Sequence, residues 1–566
     1  MKFDDVFKSI GEFGAYQKRA YALLVLTAIP VGIHFLAQVF LAAETDHWCT
    51  NAVIDAFNCT EYGLSENGCK NLTNSLIVKD NTETNEQERH CKSYQFESED
   101  DVFDNTSWPV VDCTTGWKYD TSQYHSTIIQ EWNLVCKDSH KPATAASVMF
   151  GGVLLGSILC GTFADHIGRK KVLFICLSLA TLTGSLASFS PNFWFYCLMR
   201  FCIGAACMGT YLMAFVISTE IVGPKPRTFT GITIEMFFAI GYMLLALLSY
   251  LIRSWRNLQL VSSVPILLTF IIFPFVPESP RWLITQKRYK EATDILKKMA
   301  KGNGRELPSE FSDPDELEKT MMKSEEEGDM KRHTIVDLFR TPNLRKKSLN
   351  LFYNWMVNSL VYYGLSLGTS NMGVNDYLAM FVSGAVELPA VVFCLLTASR
   401  FGRGRTISFV MIVGGLACFA TVFLEKGPAL MSVAMIGKFC ITASFAIIYI
   451  FAAEQFPTPV RGVGIGCCSV AARIGGIMAP QILYFGSLWK PLPYVVFSVM
   501  SVSAGVLVLL LPETLNVQLP ESIEDGETFG KNNSSTLKCW KRNREVDEKA
   551  TEDALNTTYK PADGVI

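Results

Sequence analysis

Twelve stretches of the chain are almost continuously apolar for roughly the 20 residues that an α-helix needs to cross a bilayer. They run over 20–43, 143–164, 171–190, 194–221, 228–252, 257–277, 349–368, 376–398, 405–424, 429–451, 460–486 and 491–511. Polar sequence separates them: short loops, a long segment at 44–142, another at 278–348, and a tail at 512–566. The pattern predicts an all-α membrane protein with a short lead-in at 1–19, a first helix at 20–43, helices two to six within 143–277 and helices seven to twelve within 349–511. An even number of crossings puts both ends on one side. The lead-in mixes acids and bases and lacks a cleavage site after a short apolar core, so it reads as an amphipathic start rather than a signal peptide.

Lysine and arginine decide which side that is. Gly168–Lys171 (GRKK), Gly223–Arg227 (GPKPR) and Arg400–Arg405 (RFGRGR) are basic, as is 278–348, whereas the opposite short loops carry only Arg253, Arg256, Lys426 and Lys490. Both termini and the central segment are therefore expected in the cytoplasm and 44–142 outside, in a plasma-membrane protein. The external segment holds six cysteines, Cys49, Cys59, Cys69, Cys91, Cys113 and Cys136, and glycosylation sequons at Asn58, Asn71 and Asn105. An even cysteine count in an oxidising compartment reads as three disulfides, with 15 pairings open. The 278–348 segment begins with apolar residues at helical spacing and predicts short helices. The polar tail is expected to be disordered.

Composition narrows the function. Charged residues make up 18% of the 566, against about 25% in soluble domains, and mean hydropathy is +0.24. A net charge of −3 does not suit a nucleic-acid partner. The sequence has no phosphate-binding glycine loop, zinc-spaced Cys/His set or hydrolase elbow, so neither an enzyme nor a cofactor or metal is expected. The lipid bilayer is the expected large partner.

The chain also repeats itself. A shift of 234 residues carries Gly168-Arg169 onto Gly402-Arg403, Glu220 onto Glu454 and Arg227 onto Arg461; Pro277-Glu278-Ser279 meets Pro512-Glu513-Thr514 one residue off. Two parallel six-helix halves around a binding site resemble the major facilitator transporters. Asp165, Arg169, Glu220, Arg227, Glu278, Arg403, Glu454, Arg461 and Glu513 fall at cytoplasmic helix ends. Either they gate the inner side by locking the halves together, or they are ordinary helix-end charges.

Gly161–Lys171 (GTFADHIGRKK) resembles the loop signature between the second and third helices of those transporters. Glu131–Cys136 (EWNLVC), Pro277–Leu283 (PESPRWL), NWMVNSLVYYGLS, GAVELP, AEQFPTPVRGVG, ARIGG and LLPETL resemble solute carrier family 22, the organic cation, anion and zwitterion transporters. EFGAYQKR and LPETLNVQLPESIEDGETFG look most like its insect organic-cation and carcinine subgroup. The resemblance covers about residues 1–525. It implies a major facilitator fold with a disulfide-rich external domain, and a small organic amine or zwitterion as substrate.

Charges inside spans are costly, about 2.5–3.5 kcal/mol each at mid-helix. Glu235, Glu387, Lys438 and Arg473 stand out. By resemblance, cation-selective members carry Asp where this chain has Arg473, and anion or zwitterion transporters carry Arg. Arg473 therefore either binds a carboxylate or chloride through its forked donors, or pairs with Glu387. Glu235 replaces an amide usual in the family; it is either a selector for ammonium or a helix partner. Lys438 suits a structural or gating role at least as well as ligand contact. Aromatic faces attract cations, and Tyr211, Phe215, Trp355, Tyr362, Tyr363, Phe445 and Tyr449, with His34 and Gln38, complete the candidate lining. His34 raises proton coupling, with packing as its plainer role; chloride and sodium are the other candidate coupled ions. Three readings follow: uptake of organic amines or zwitterions by alternating access, an organic-anion exchanger, and a non-transporting sensor built on the external segment.

Overall fold

The computed structural model describes residues 4–50, 91–94, 109–113, 116–319, 334–398, 400–515, 517 and 519–530. Cys59, Cys69, Asn58, Asn71 and Asn105 lie outside them. In chain order come α1 (Asp4–Ile10), α2 (Ala15–Leu26), α3 (Ala28–Leu36), α4 (Gln38–Leu41), β1 (His47–Cys49), β2 (Lys92–Tyr94), β3 (Val110–Asp112), β4 (Trp117–Tyr119) and α5 (Ile128–Trp132). Next are α6 (Lys141–Ile167), α7 (Arg169–Ser188), α8 (Phe193–Glu220), α9 (Arg227–Leu251), α10 (Trp255–Ser263), α11 (Pro280–Thr285), α12 (Tyr289–Gly302), α13 (Ser309–Ser312) and α14 (Ile335–Arg340). The chain continues through α15 (Pro342–Leu367), α16 (Asp376–Thr397), α17 (Arg403–Thr421), α18 (Pro428–Gln455), α19 (Arg461–Tyr484), α20 (Leu492–Val508) and α21 (Ile523–Thr528).

Among the described residues, ten helical stretches are long and apolar enough to span a bilayer. The two other expected spans are helical as well. Helix α15 has 26 residues but carries Asn350, Asn354 and Asn358, and α20 has only 17 residues. The sixth span is α10 followed by a tighter 3-10 stretch, Val264–Phe275, where Pro265 and Pro274 withhold two amide donors. Side chains such as Leu182, Ile271, Leu396, Phe423 and Val499 stand more than half exposed; apolar surface on this scale suits contact with lipid rather than water.

The chain divides into two compact units. Unit 1 comprises Met1–Lys323, Ser366–Gly384 and Ile477–Pro493; unit 2 comprises Ser324–Leu365, Ala385–Gly476 and Tyr494–Ile566. In unit 1, α8 packs along α6 and α7, and α9 along α3. Small residues make the α6–α8 contact possible: a Cβ on Gly152 would collide with the Phe201 carbonyl oxygen, and one on Gly204 with that of Met149. Stripping Cβ from an interface is how membrane helices bring backbones together without a hydrophobic drive. In unit 2, α17 packs along α18.

The described part of the external segment belongs to unit 1. Strand β1 pairs antiparallel with β4 and β2 with β3, and disulfides join Cys49 to Cys113 and Cys91 to Cys136. Helix α5 opens with a capping box between Thr127 and Gln130. Its Glu131 accepts from the Trp255 indole at 2.6 Å and pairs with Arg256, while Trp255 N–H donates to the Ser126 carbonyl at 3.1 Å. Tyr124 donates to Asp376, the first residue of α16, at 2.7 Å and Gln123 does so at 3.0 Å. Burial and the adjacent carboxylate push the Tyr124 hydroxyl well above the usual phenol range.

The tail departs from the expectation of disorder beginning at 512. Ser522 and Asp525 form a capping box that starts α21, and Lys347 on α15 donates to the carbonyls of Gly526 and Phe529 at 3.1 and 2.7 Å. A local cap and one buried ammonium order a segment whose composition reads as unstructured.

Candidate functional site

The repeated motif builds the same small device in each unit. Gly168 and Gly402 have φ of 107° and 94°, backbone that favours glycine, and each leads into a helix, α7 or α17. The vacant Cβ position is filled by a carboxylate: Glu278 beside Gly168 and Glu513 beside Gly402. Glu278 accepts from the Lys170 amide at 3.2 Å. Glu513 accepts from the Arg403 amide at 2.8 Å and the Arg405 amide at 3.4 Å. These carboxylates satisfy amide donors that a helix start leaves open and complement its dipole.

The motif arginines then reach across. Arg169 meets Asp165 at 2.9 Å and Glu220 at 3.5 Å; Arg403 meets Glu454 at 2.9 Å. Arg227 donates to the Thr219 and Val222 carbonyls, and Arg461 to the Phe456 carbonyl and the Thr458 hydroxyl. Burial pulls the Arg227 guanidinium down from its usual range, and Glu220 counters this. Each of these acid–base contacts closes within its own unit.

Unit 2 gathers most of the candidate ligand residues. Glu387 on α16 and Lys438 on α18 pair at 2.8 Å with side chains 5% and 0% exposed. Tyr362 on α15 donates to the same carboxylate at 2.7 Å, and the Lys438 ammonium sits 3.3 Å from the centre of its ring. Phe445 stacks on Tyr362 at 5.8 Å, and Tyr363 stands edge-on to it at 5.1 Å. Trp355, fully buried, meets Tyr449 at 4.3 Å and Phe445 at 6.4 Å. Glu387 therefore belongs to Lys438, and the alternative of an Arg473–Glu387 pair is corrected. Arg473 on α19 instead hydrogen-bonds the Tyr363 hydroxyl; it is buried, and its Nε has no hydrogen-bond partner. Buried polar atoms without partners continue along this face at Trp355 Nε1, Asn354 Oδ1, Asn358 Oδ1 and Ser359 Oγ.

The remaining candidates lie in unit 1. Tyr211 meets Phe238 edge-on at 6.4 Å, Phe215 lies over Gly231, and Glu235 is half-buried on α9. Gln38 accepts from the Tyr196 hydroxyl at 2.9 Å and donates to the Pro142 carbonyl at 3.4 Å, which ties α4 to α8 and the start of α6. His34 is fully buried, lies against the Ser262 backbone, and completes no hydrogen bond of normal geometry from either ring nitrogen. Its carbonyl receives two bonds from Arg200, both at 3.4 Å. The sequence reading passed over Arg200 although the hydropathy pattern placed it inside a span; counting every charge within the predicted spans would have found it.

Residues 94–525 match the "Sugar (and other) transporter" family. The chain is 41% identical over 538 residues to an "Organic cation transporter protein" of Drosophila melanogaster, covering 94% of this chain and 95% of that one. It is 35% identical to mouse "Solute carrier family 22 member 3" (93% and 96% covered) and 35% to human "Organic cation/carnitine transporter 2" (92% and 93%). The Escherichia coli xylose transporter XylE in its inward open conformation superposes with a TM-score of 0.58 at 13% identity, covering 91% of this chain and 99% of that one, a likeness of fold. The twelve expected helices, the twice-built glycine–arginine device and these matches lead to one conclusion: the chain is a membrane transporter rather than an enzyme, with the major facilitator fold, and belongs to solute carrier family 22.

Proposed function

We propose that the protein carries small organic amines, including zwitterions of the carnitine and carcinine type, across the plasma membrane by alternating access, with both termini cytoplasmic. The observation that carries this reading is the Lys438–Tyr362–Glu387 arrangement. A carboxylate and an aromatic face already hold an ammonium group out of water there, which is the chemistry an amine substrate needs. Trp355, Phe445 and Tyr449 supply further ring faces, and Arg473 supplies a forked donor for a carboxylate or polar ring at the other end of a zwitterion. Relatives named as organic cation and organic cation/carnitine transporters support the same class. A cation would be drawn inward by the membrane potential, about 2.3 kcal/mol per charge per 100 mV; a zwitterion of no net charge needs its own gradient or a coupled chloride, sodium or proton. Glu235, Tyr211, Phe215, His34 and Gln38 are proposed to contribute from unit 1, and the Glu220 and Glu454 contacts with their motif arginines to gate the inner side.

The test is uptake by transfected cells of carnitine, carcinine, β-alanine, histamine and a dicarboxylate, with and without sodium and at two pH values. Amine uptake that falls in Glu235→Gln while dicarboxylate uptake does not is the expected result. Dicarboxylate uptake without amine uptake establishes instead the anion exchanger, which the unpartnered Arg473 Nε favours.

A further inference from the structure

Arg200 is a buried charge without a carboxylate partner among the described residues. It is fully buried in α8. Its terminal nitrogens reach only the His34 carbonyl and, at 2.8 Å, the sulfur of Met149 on α6. Its Nε has no hydrogen-bond partner. Among the described residues no carboxylate forms an ion pair with it. A guanidinium held out of water beside a thioether and a shared carbonyl lacks the counter-charge that buried cations require.

The internal repeat shows what is missing. Met149 and Arg200 are 51 residues apart, and so are Glu387 and Lys438, the ion pair of unit 2. A shift of 238 residues carries one pair onto the other, from α6 and α8 to α16 and α18. The gating motifs superpose with a shift of 234, so the two charged pairs sit one helical turn apart on corresponding helices. The same helix pair thus buries a cation in each half. In unit 2 the facing helix supplies a carboxylate, and in unit 1 it supplies Met149.

We propose that Arg200 and His34 form a small-anion site inside unit 1, taking a chloride-sized monovalent ion in the role that the Glu387 carboxylate plays in unit 2. The unpartnered Arg200 Nε–H and one N–H of the His34 imidazole are its donors. Complete burial of Arg200 and His34 restricts it to a compact ion rather than a polyatomic one. The site is independent of the amine seat in unit 2, and its occupancy is read without transport.

The experiment measures the thermal unfolding midpoint of the detergent-purified full chain in sodium chloride and in sodium gluconate at matched ionic strength. Chloride should raise the midpoint saturably, because a ligand that binds only the folded state stabilises it, and bromide should substitute. Met149→Glu, which rebuilds the unit 2 pair, should remove the response, with a gluconate midpoint at or above that of the unsubstituted protein in chloride. Arg200→Met should also remove it, through an affinity loss of at least about tenfold, and Arg473→Gln should keep it. Equal midpoints in the two salts overturn the proposal. So does a chloride response that survives Met149→Glu, or one that vanishes with Arg473→Gln alone. Should Arg200→Met fail to fold, Met149→Glu decides by itself, and an absence of amine uptake leaves every readout unchanged.

Discussion

Unit 1 and unit 2 each hold a cation inside a membrane helix, and they treat it in opposite ways. Lys438 lies between a carboxylate at 2.8 Å and the face of Tyr362, so its charge is balanced and its ammonium well supplied with partners. Arg200 occupies the corresponding helix of the other half and meets a carbonyl and a sulfur. Two repeats built on one plan thus bury a cation on corresponding helices, one turn apart, and the residue that faces it differs in type, Glu387 against Met149. A balanced pair fixes a local structure and prepares a polar seat. An unbalanced cation leaves electrostatic demand for something that is not part of the chain.

Substitutions test that contrast directly, each read as the unfolding midpoint of purified protein in gluconate. Lys438→Met strands a buried carboxylate and should destabilise by about 3–5 kcal/mol, with most of the loss recovered when Glu387→Met is added. A double variant as unstable as the single one would show that the pair is not what holds the site. Tyr362→Phe removes one hydrogen bond to the charged carboxylate and should cost about 1.5–3 kcal/mol; a smaller loss would mean that Lys438 alone satisfies Glu387. Glu513→Gln weakens the cap on α17 and should cost about 1 kcal/mol, and Glu278→Gln should match it if the two units use the device alike. Arg200→Met removes a charge that has no carboxylate, so its effect should be within about 1 kcal/mol of zero or stabilising. A loss as large as that of Lys438→Met would end the comparison.

Much of this was legible along the chain. Apolar lengths gave the helices, because a bilayer permits no other use for 20 apolar residues in a row. The glycine–arginine device was legible as a repeat, since its parts are held by local backbone geometry: a left-handed glycine, a helix start and a nearby carboxylate. The cysteines Cys49, Cys91, Cys113 and Cys136 were legible as bonded but not as paired, because pairing depends on how β1 to β4 fold back. The partner of Glu387 was not legible either. Arg473 and Lys438 lie on different helices, and only the packing of α16 against α18 and α15 brings Lys438 and Tyr362, rather than Arg473, to that carboxylate. The ordered stretch around α21 was hidden because its composition is polar and its stability comes from Lys347, far away in sequence.

By itself, then, the sequence determined the course of the helices, the duplicated plan, a disulfide-bearing segment after the first span and the family, all of which follow from short-range chemistry and from the bilayer's demand for satisfied backbone. Tertiary structure alone decided which buried charge meets which partner. Side-chain pairing across helices depends on their relative rotation and closeness, quantities that a one-dimensional pattern does not contain. That is why the difference between Arg200 and Lys438 became visible only once Met149 and Glu387 were seen in contact with them.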